Sequence, residues 1–168
     1  QGKTTGWIGY TLSKTTRYFD EVNNGIEFPA KYDRRHDLSI TATHKLSKAW
    51  VLSGVFVYAT GNTFTPPLER YVLDGYIITE FADRNSYRMA PYHRMDVSLT
   101  FKNKATKKYQ SDWVLSIYNL YNRQNPYFIY FETEGRLGGD EPVQITAQQV
   151  SLFPIIPSTC IKIFALLN

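Results

Sequence analysis

The octet Arg94-Met95-Asp96-Val97-Ser98-Leu99-Thr100-Phe101 alternates throughout: Met95, Val97, Leu99 and Phe101 are apolar, while Arg94, Asp96, Ser98 and Thr100 are polar. A period of two sends successive side chains to opposite sides of an extended chain, so the octet reads as a strand with one greasy and one polar face. Leu38, Ile40 and Ala42 repeat the pattern against Asp37, Ser39, Thr41 and Thr43. Noisier versions run through Ile8/Tyr10/Leu12, Trp50/Leu52/Phe56/Tyr58 and Trp113/Leu115/Ile117. Val, Ile, Thr and aromatic residues are strand formers.

Working outward, six strands are expected, near Thr5 to Tyr18, Asp37 to Leu46, Ala49 to Thr60, Arg94 to Phe101, Trp113 to Phe131 and Val143 to Phe164. These segments make up about half of the chain. They hold only Lys14, Arg17, Asp37, Lys45, Arg94, Asp96, Arg123 and Lys162 of its charges. The connections alternate in length. Phe19 to His36, with an Asn24-Gly25 turn signal, is long; Ser47-Lys48 is tight; Gly61 to His93 is long; Lys102 to Asp112 is shorter; Glu132 to Pro142 is long again. Long loops at one end and short turns at the other are the habit of outer-membrane barrels. A helical span is excluded, because the charge-free stretches Ala49 to Leu68 and Pro142 to Ile161 carry Pro66-Pro67, Pro154 and Pro157. The expected fold is therefore all-β: an antiparallel transmembrane β-barrel portion. Six strands fall short of the roughly 8 that the smallest bacterial barrels need, so the chain is read as part of a larger barrel.

Composition agrees with this class. The chain has 168 residues, with Tyr 13, Phe 10 and Trp 3, against Met 2 and Cys 1. One cysteine excludes a disulfide scaffold and a cysteine-based zinc site; Cys160 reads as a small packed residue. The net charge of +4 is too small to call for nucleic acid. Gln1-Gly2-Lys3-Thr4-Thr5 has no apolar signal-peptide core. Aromatics near strand ends, namely Trp7, Tyr18, Trp50, Tyr58, Tyr92, Phe101, Trp113, Tyr127, Phe128, Tyr130 and Phe131, are read as two interfacial girdles.

The run Ser116-Ile-Tyr-Asn-Leu-Tyr-Asn-Arg-Gln-Asn-Pro-Tyr-Phe-Ile-Tyr-Phe131, with Gln149-Val-Ser-Leu-Phe-Pro-Ile-Ile-Pro-Ser158, resembles the last strands of TonB-dependent outer-membrane receptors of the Bacteroidetes type. Arg35-His-Asp-Leu38, Tyr58-Ala-Thr-Gly-Asn62 and Arg84 to Asp96 add to the likeness, which spans about residues 5 to 164. The resemblance implies a barrel of about 22 strands around a plug, of which this chain supplies the six C-terminal ones. It implies nutrient uptake across the Gram-negative outer membrane. The partners would be the rest of the barrel, the plug, outer-membrane lipid and, through a preceding region, the TonB complex. A capping surface lipoprotein is left open. The ending Ala165-Leu-Leu-Asn168 lacks the family's terminal aromatic, and nothing favours a polysaccharide substrate.

No catalytic residue, metal site or cofactor is expected, because G-x-S-x-G, H-E-x-x-H and phosphate-loop patterns are missing. His36-Asp37 and His93 with Asp96 read as hydrogen-bonding rim residues rather than a hydrolase site. Asp37, Arg94, Asp96 and Arg123 alternate with apolar neighbours and are expected to face a lumen or plug. Phe64, Tyr71, Tyr76 and Tyr87, set among charges in the Gly61 to His93 loop, are candidates for an extracellular ligand loop. The alternative is a soluble β-sandwich binding module that uses the same aromatic loop, 61–93.

Overall fold

The computed structural model describes residues 2–74, 76–104, 109–134 and 144–165. Lys107 and Lys108 of the Lys102 to Asp112 connection lie outside these, as do Gly138 and Gly139 of the Glu132 to Pro142 connection. In chain order the strands are β1 (Thr4–Leu12), β2 (Thr16–Arg17), β3 (Phe28–Pro29), β4 (His36–Lys45) and β5 (Trp50–Ala59). There follow β6 (Thr63–Phe64), β7 (Pro67–Leu73), β8 (Tyr76–Phe81), β9 (Tyr87–Arg88) and β10 (Tyr92–Lys102). The last are β11 (Tyr109–Tyr118), β12 (Pro126–Glu134), β13 (Gln144–Ser151) and β14 (Ile156–Ala165). Among the described residues there is no α-helix, only a 3-10 turn at Asn23–Gly25, so the chain is all-β.

Six long strands form one antiparallel sheet in the order β1-β4-β5-β10-β11-β14. Neighbours in the sheet follow one another in the chain, an up-and-down meander. All three long connections therefore leave the same end, and the two short turns occupy the other. We call these the loop end and the turn end.

Three expected strands are corrected. Trp113 to Phe131 is broken at 119–125, where Asn119 and Asn122 adopt left-handed φ values of 53° and 52°, which asparagine tolerates better than most residues. Val143 to Phe164 is broken at 152–155, beside Phe153 with φ 57°. The pieces β12 and β13 form a separate hairpin at the loop end. The first strand stops at Leu12 rather than Tyr18.

Cross-strand register settles which side chains share a face. Ile8, Ile40, Phe56 and Met95 are successive partners in one row. Leu52, Leu99 and Leu115 follow in another, and Trp50, Phe101, Trp113 and Ile161 in a third. The opposite face carries Thr5, Thr43, Ser53, Ser98, Ser116 and Ser158 as one row of hydroxyls across all six strands.

The apolar face is bare: Ile8 is 72% exposed, Leu115 50% and Ile163 71%. Among the described residues the buried apolar side chains are Phe28, Ala30, Ala59 and Met89, all at the loop end. Among the described residues no second sheet pairs with or extends the six-stranded one. Six strands at about 4.8 Å spacing and nine residues from Trp50 to Tyr58 at about 3.3 Å give a face on the order of 800 Å². That exceeds the roughly 600 Å² at which the largest patches of soluble monomers usually stop.

Candidate functional site

The apolar face ends in rings on both sides. At the turn end Trp50 and Phe101 lie with centroids 4.8 Å apart, and Trp113 is the next partner in the row. At the loop end Tyr10 Oη is 2.8 Å from His36 Nδ1, Tyr58 stacks on His93 at 6.5 Å, and Tyr121 Oη is 2.8 Å from His93 Nδ1. The remaining girdle expectations are corrected. Trp7 and Tyr92 belong to the polar face by register, with the Trp7 ring lying over Gly9, where a Cβ would stand 2.8 Å from the indole. Tyr18, Tyr127, Phe128, Tyr130 and Phe131 are in loop-end segments outside the six-stranded sheet. Cys160 is exposed, not packed.

The histidines and their neighbouring carboxylates are separated by the sheet itself. His36 and His93 share the apolar face, whereas Asp37 and Asp96 share the polar one, because the members of each pair are an odd number of positions apart.

On the polar face near the loop end, Arg94 is held from four directions. Its Nη2 and Nε lie 2.9 and 3.0 Å from Asp96 Oδ2. Its Nη1 donates to Tyr92 Oη at 2.9 Å and Tyr118 Oη at 2.6 Å, and the guanidinium sits 4.1 Å from the Tyr118 ring centroid. Asp96 Oδ1 accepts the backbone N–H of Asn119 at 2.9 Å, which ties this pair to the turn after β11.

Asn119 is 1% exposed and organises that turn. Its Oδ1 accepts the Arg123 N–H, and its Nδ2 donates to the carbonyls of Arg123 and Phe153. Asn122 Oδ1 accepts the Ile155 N–H, and Asn125 makes a two-way contact with the backbone of His93. Arg123 donates through Nη2 to the Pro91 carbonyl and through Nε to Asn125 Oδ1. Arg123 is therefore a staple between the turn and the start of β10 rather than a charge on the polar face, which corrects its expected place. Asp37 lies on the polar face, 3.9 Å from Arg34 Nη1, with both side chains about half exposed.

A second knot joins the loops on either side of β4 and β5. Asp33 is 2% exposed; its Oδ2 meets Arg88 Nη2 at 2.6 Å and its Oδ1 accepts the Thr15 N–H at 2.6 Å. Arg88 Nη1 also donates to the Asp33 and Gly61 carbonyls. Burial alone would raise the Asp33 pKa, but the Thr15 N–H and the Arg88 guanidinium outweigh it, so the carboxyl titrates below its usual range. Gly61 has no room for a side chain, since a Cβ would stand 2.0 Å from the Met89 carbonyl oxygen. Asn23 and Arg84 exchange hydrogen bonds between the same loops.

Between these two knots lies a cavity of about 690 Å³, within the usual range for small-molecule sites. Its floor is Tyr92, Arg94 and Tyr118 of the polar face; its walls include Lys31, Arg34 and Phe64 from the loops and Phe153 from the 152–155 break. Of the four ligand-loop candidates, Phe64 lines it, and Tyr87 packs on Phe64 at 5.2 Å. Tyr71 and Tyr76 stand exposed on the β7–β8 hairpin and do not line it. Asp96 supports the floor from behind.

Sequence reasoning missed Asp33, Arg88, Lys31, Arg34 and Phe153 as site builders. Asp33 and Arg88 are 55 residues apart, and neither carries a local signature. The three-residue spacing of Asn119, Asn122 and Asn125 was the one signal that would have marked the turn.

No protein-family model, curated protein or solved structure matches the chain.

Proposed function

We infer that this chain is a section of a transmembrane β-barrel wall, the C-terminal part of a TonB-dependent outer-membrane receptor that takes up a nutrient. The observation that carries the reading is the bare apolar face with a ring of aromatic side chains at each end. From Trp50 to Tyr58 the strand runs about 27 Å, which at a tilt of about 40° spans roughly 20 Å along the membrane normal. With the reach of the rings this approaches the apolar band of about 25 Å typical of such barrels. Water is a poor solvent for a face of this size and lipid a good one.

The meander with all long connections at one end favours the same reading, with the loop end outside and the turn end in the periplasm. Both edges of the sheet, β1 and β14, present unpaired backbone groups, which lipid would not tolerate unless further strands continue the wall. The polar face then lines a lumen, with Asp37, Arg94 and Asp96 turned toward a plug, and the loop-end cavity lies where solute would arrive. The partners are the remaining barrel, the plug, outer-membrane lipid and the TonB complex. The described lining of the cavity is aromatic, apolar and cationic, which suits binding and passage as the activity proposed.

The test is the full-length protein in detergent. We expect β-rich circular dichroism and faster gel migration before boiling than after. A monodisperse protein that needs no detergent would overturn the reading.

A further inference from the structure

The loop-end cavity gathers positive charge, and its side-chain amide oxygens are already engaged. Of its polar lining, the Asn62 side-chain oxygen is taken by Arg34 Nε at 3.3 Å, and both side-chain atoms of Asn125 are taken by the backbone of His93. Thr63 donates its hydroxyl hydrogen to the Ala30 carbonyl. Among the described residues the charged side chains that line the cavity are Lys31, Arg34 and Arg94, with no carboxylate.

These cations are not equivalent. Arg94 is neutralised by Asp96 and delivers its effect through the Tyr92 and Tyr118 hydroxyls, whose oxygens accept from it and whose own hydrogens are thereby made better donors. Arg34 shares Asp37 at 3.9 Å in a half-exposed pair, a contact worth little in water. The Lys31 ammonium rests 5.5 Å from the Tyr32 ring centroid, and no carboxylate lies within ion-pair distance of it among the described residues. The rest of the wall is mainly apolar, with Phe64, Met89, Phe128, Ile129 and Phe153, and Tyr32 and Tyr127 add rings that carry hydroxyls.

We propose that this cavity binds an oxyanion carried on a flat apolar body, with Lys31 and Arg34 meeting the anion and Phe64 and Phe153 enclosing the body. A neutral sugar would leave the Lys31 and Arg34 charges unmatched, and a cation would meet charge of its own sign. An anion uses what is left over, and charge-assisted hydrogen bonds of this kind are about twice as strong as neutral ones. Phe153 fits this role in a second way: a bulky side chain at φ 57° is an uncommon conformation, maintained here by Asn119 Nδ2 on its carbonyl and by the edge of its ring on Tyr118 at 6.2 Å. The proposal deepens the transport reading and rests on it for the direction from which solute arrives.

The experiment measures binding of three probes to the full-length protein in lipid nanodiscs by saturation-transfer NMR: 2-naphthoate, neutral 2-naphthylmethanol and 2-naphthylmethylammonium. Empty nanodiscs correct for partition into lipid. We expect 2-naphthoate to bind at least about tenfold more tightly than either of the others. In a Lys31→Glu, Arg34→Glu double variant the order should invert, with the ammonium probe ahead. Equal binding of the acid and the alcohol, a preference that survives the double variant, or no saturable binding by any probe would each overturn the proposal. Gel mobility before and after boiling, taken on the same preparations, reads the barrel separately. A protein that passes that check and shows no charge preference loses only the ligand class; one that fails it loses the transport reading.

Discussion

The two ends of the six-stranded sheet solve the same problem, turning the chain back, with different side chains. At the turn end the described lysines are Lys3, Lys45, Lys48, Lys102, Lys104 and Lys162, against the lone acid Asp112. The β4–β5 turn needs little more than the Ser47 hydroxyl, which accepts the Ala49 and Trp50 N–H groups. At the loop end the basic residues are mainly arginines, and the backbone is tied by Asp33, Asn85, Asn119, Asn122, Asn125, Arg88 and Arg123. A short hairpin satisfies its backbone through the strand ladder, so its side chains are free to serve solubility, and lysine is strongly hydrated. A long connection leaves carbonyls and N–H groups without ladder partners. Planar guanidinium forks and amides, which make several directed bonds each, take their place.

The comparison can be broken first at its strongest point. Arg88→Ala leaves the Asp33 carboxylate buried without its cation, a loss of about 3 kcal/mol. Amide exchange at Thr15 and Thr63 should then rise about a hundredfold, by the usual factor of ten for each 1.4 kcal/mol. The amides of β4 near Lys45 should not respond. A uniform response along the sheet would mean that the knot is not local to the loop end.

Asn119→Ala comes next, at about 2 kcal/mol, because it strands buried partners and places alanine in a left-handed conformation. Asn119→Gly should recover about 1 kcal/mol of this, the backbone share, leaving the hydrogen-bond share exposed. Exchange at the Arg123 amide reads both variants, and equal losses would remove the backbone part of the argument.

Acid should then loosen the loop end selectively. The folded pKa of Asp33 lies below its unfolded value, so its contribution is present above the ordinary carboxylate pKa of about 4 and is lost as pH falls through the lower folded value. Thr15 protection, corrected for intrinsic exchange, should fall on acidification in the parent protein and lose most of that dependence in Asp33→Asn. Smallest of all, Lys104→Ala at the turn end should change stability by less than about 0.5 kcal/mol, read as the thermal midpoint of the gel-mobility shift. A larger effect would give the lysines a structural task that their contacts do not suggest.

The six-stranded meander was legible because its signal is periodic. Arg94 to Phe101 and Asp37 to Thr43 each write the two faces directly into the sequence, and the ladder follows within a residue or two. The break at 119–125 was not read because Leu120, Tyr121, Tyr127 and Phe128 keep apolar content high through the turn, while the asparagines that bend it act through hydrogen bonds rather than hydropathy. Lys31 and Arg34 were invisible as site residues for another reason. What singles them out is that they meet Arg94 around one cavity with no carboxylate among its described lining residues, a property of the folded loops together. Trp7 shows the limit of reading rings as girdles, since its face is fixed by pairing with Thr41 and not by its hydropathy.

The central claim is that one side of this sheet meets hydrocarbon and the other an aqueous interior. Nitroxide spin labels placed one at a time at Leu52, Ser53, Leu115 and Ser116 of the full-length protein in bilayers would test it by power saturation. We predict that labels at 52 and 115 collide with oxygen and exclude a water-soluble nickel chelate, while those at 53 and 116 show less oxygen and more chelate access. Equal accessibility on the two faces, or chelate reaching 52 and 115, would contradict it.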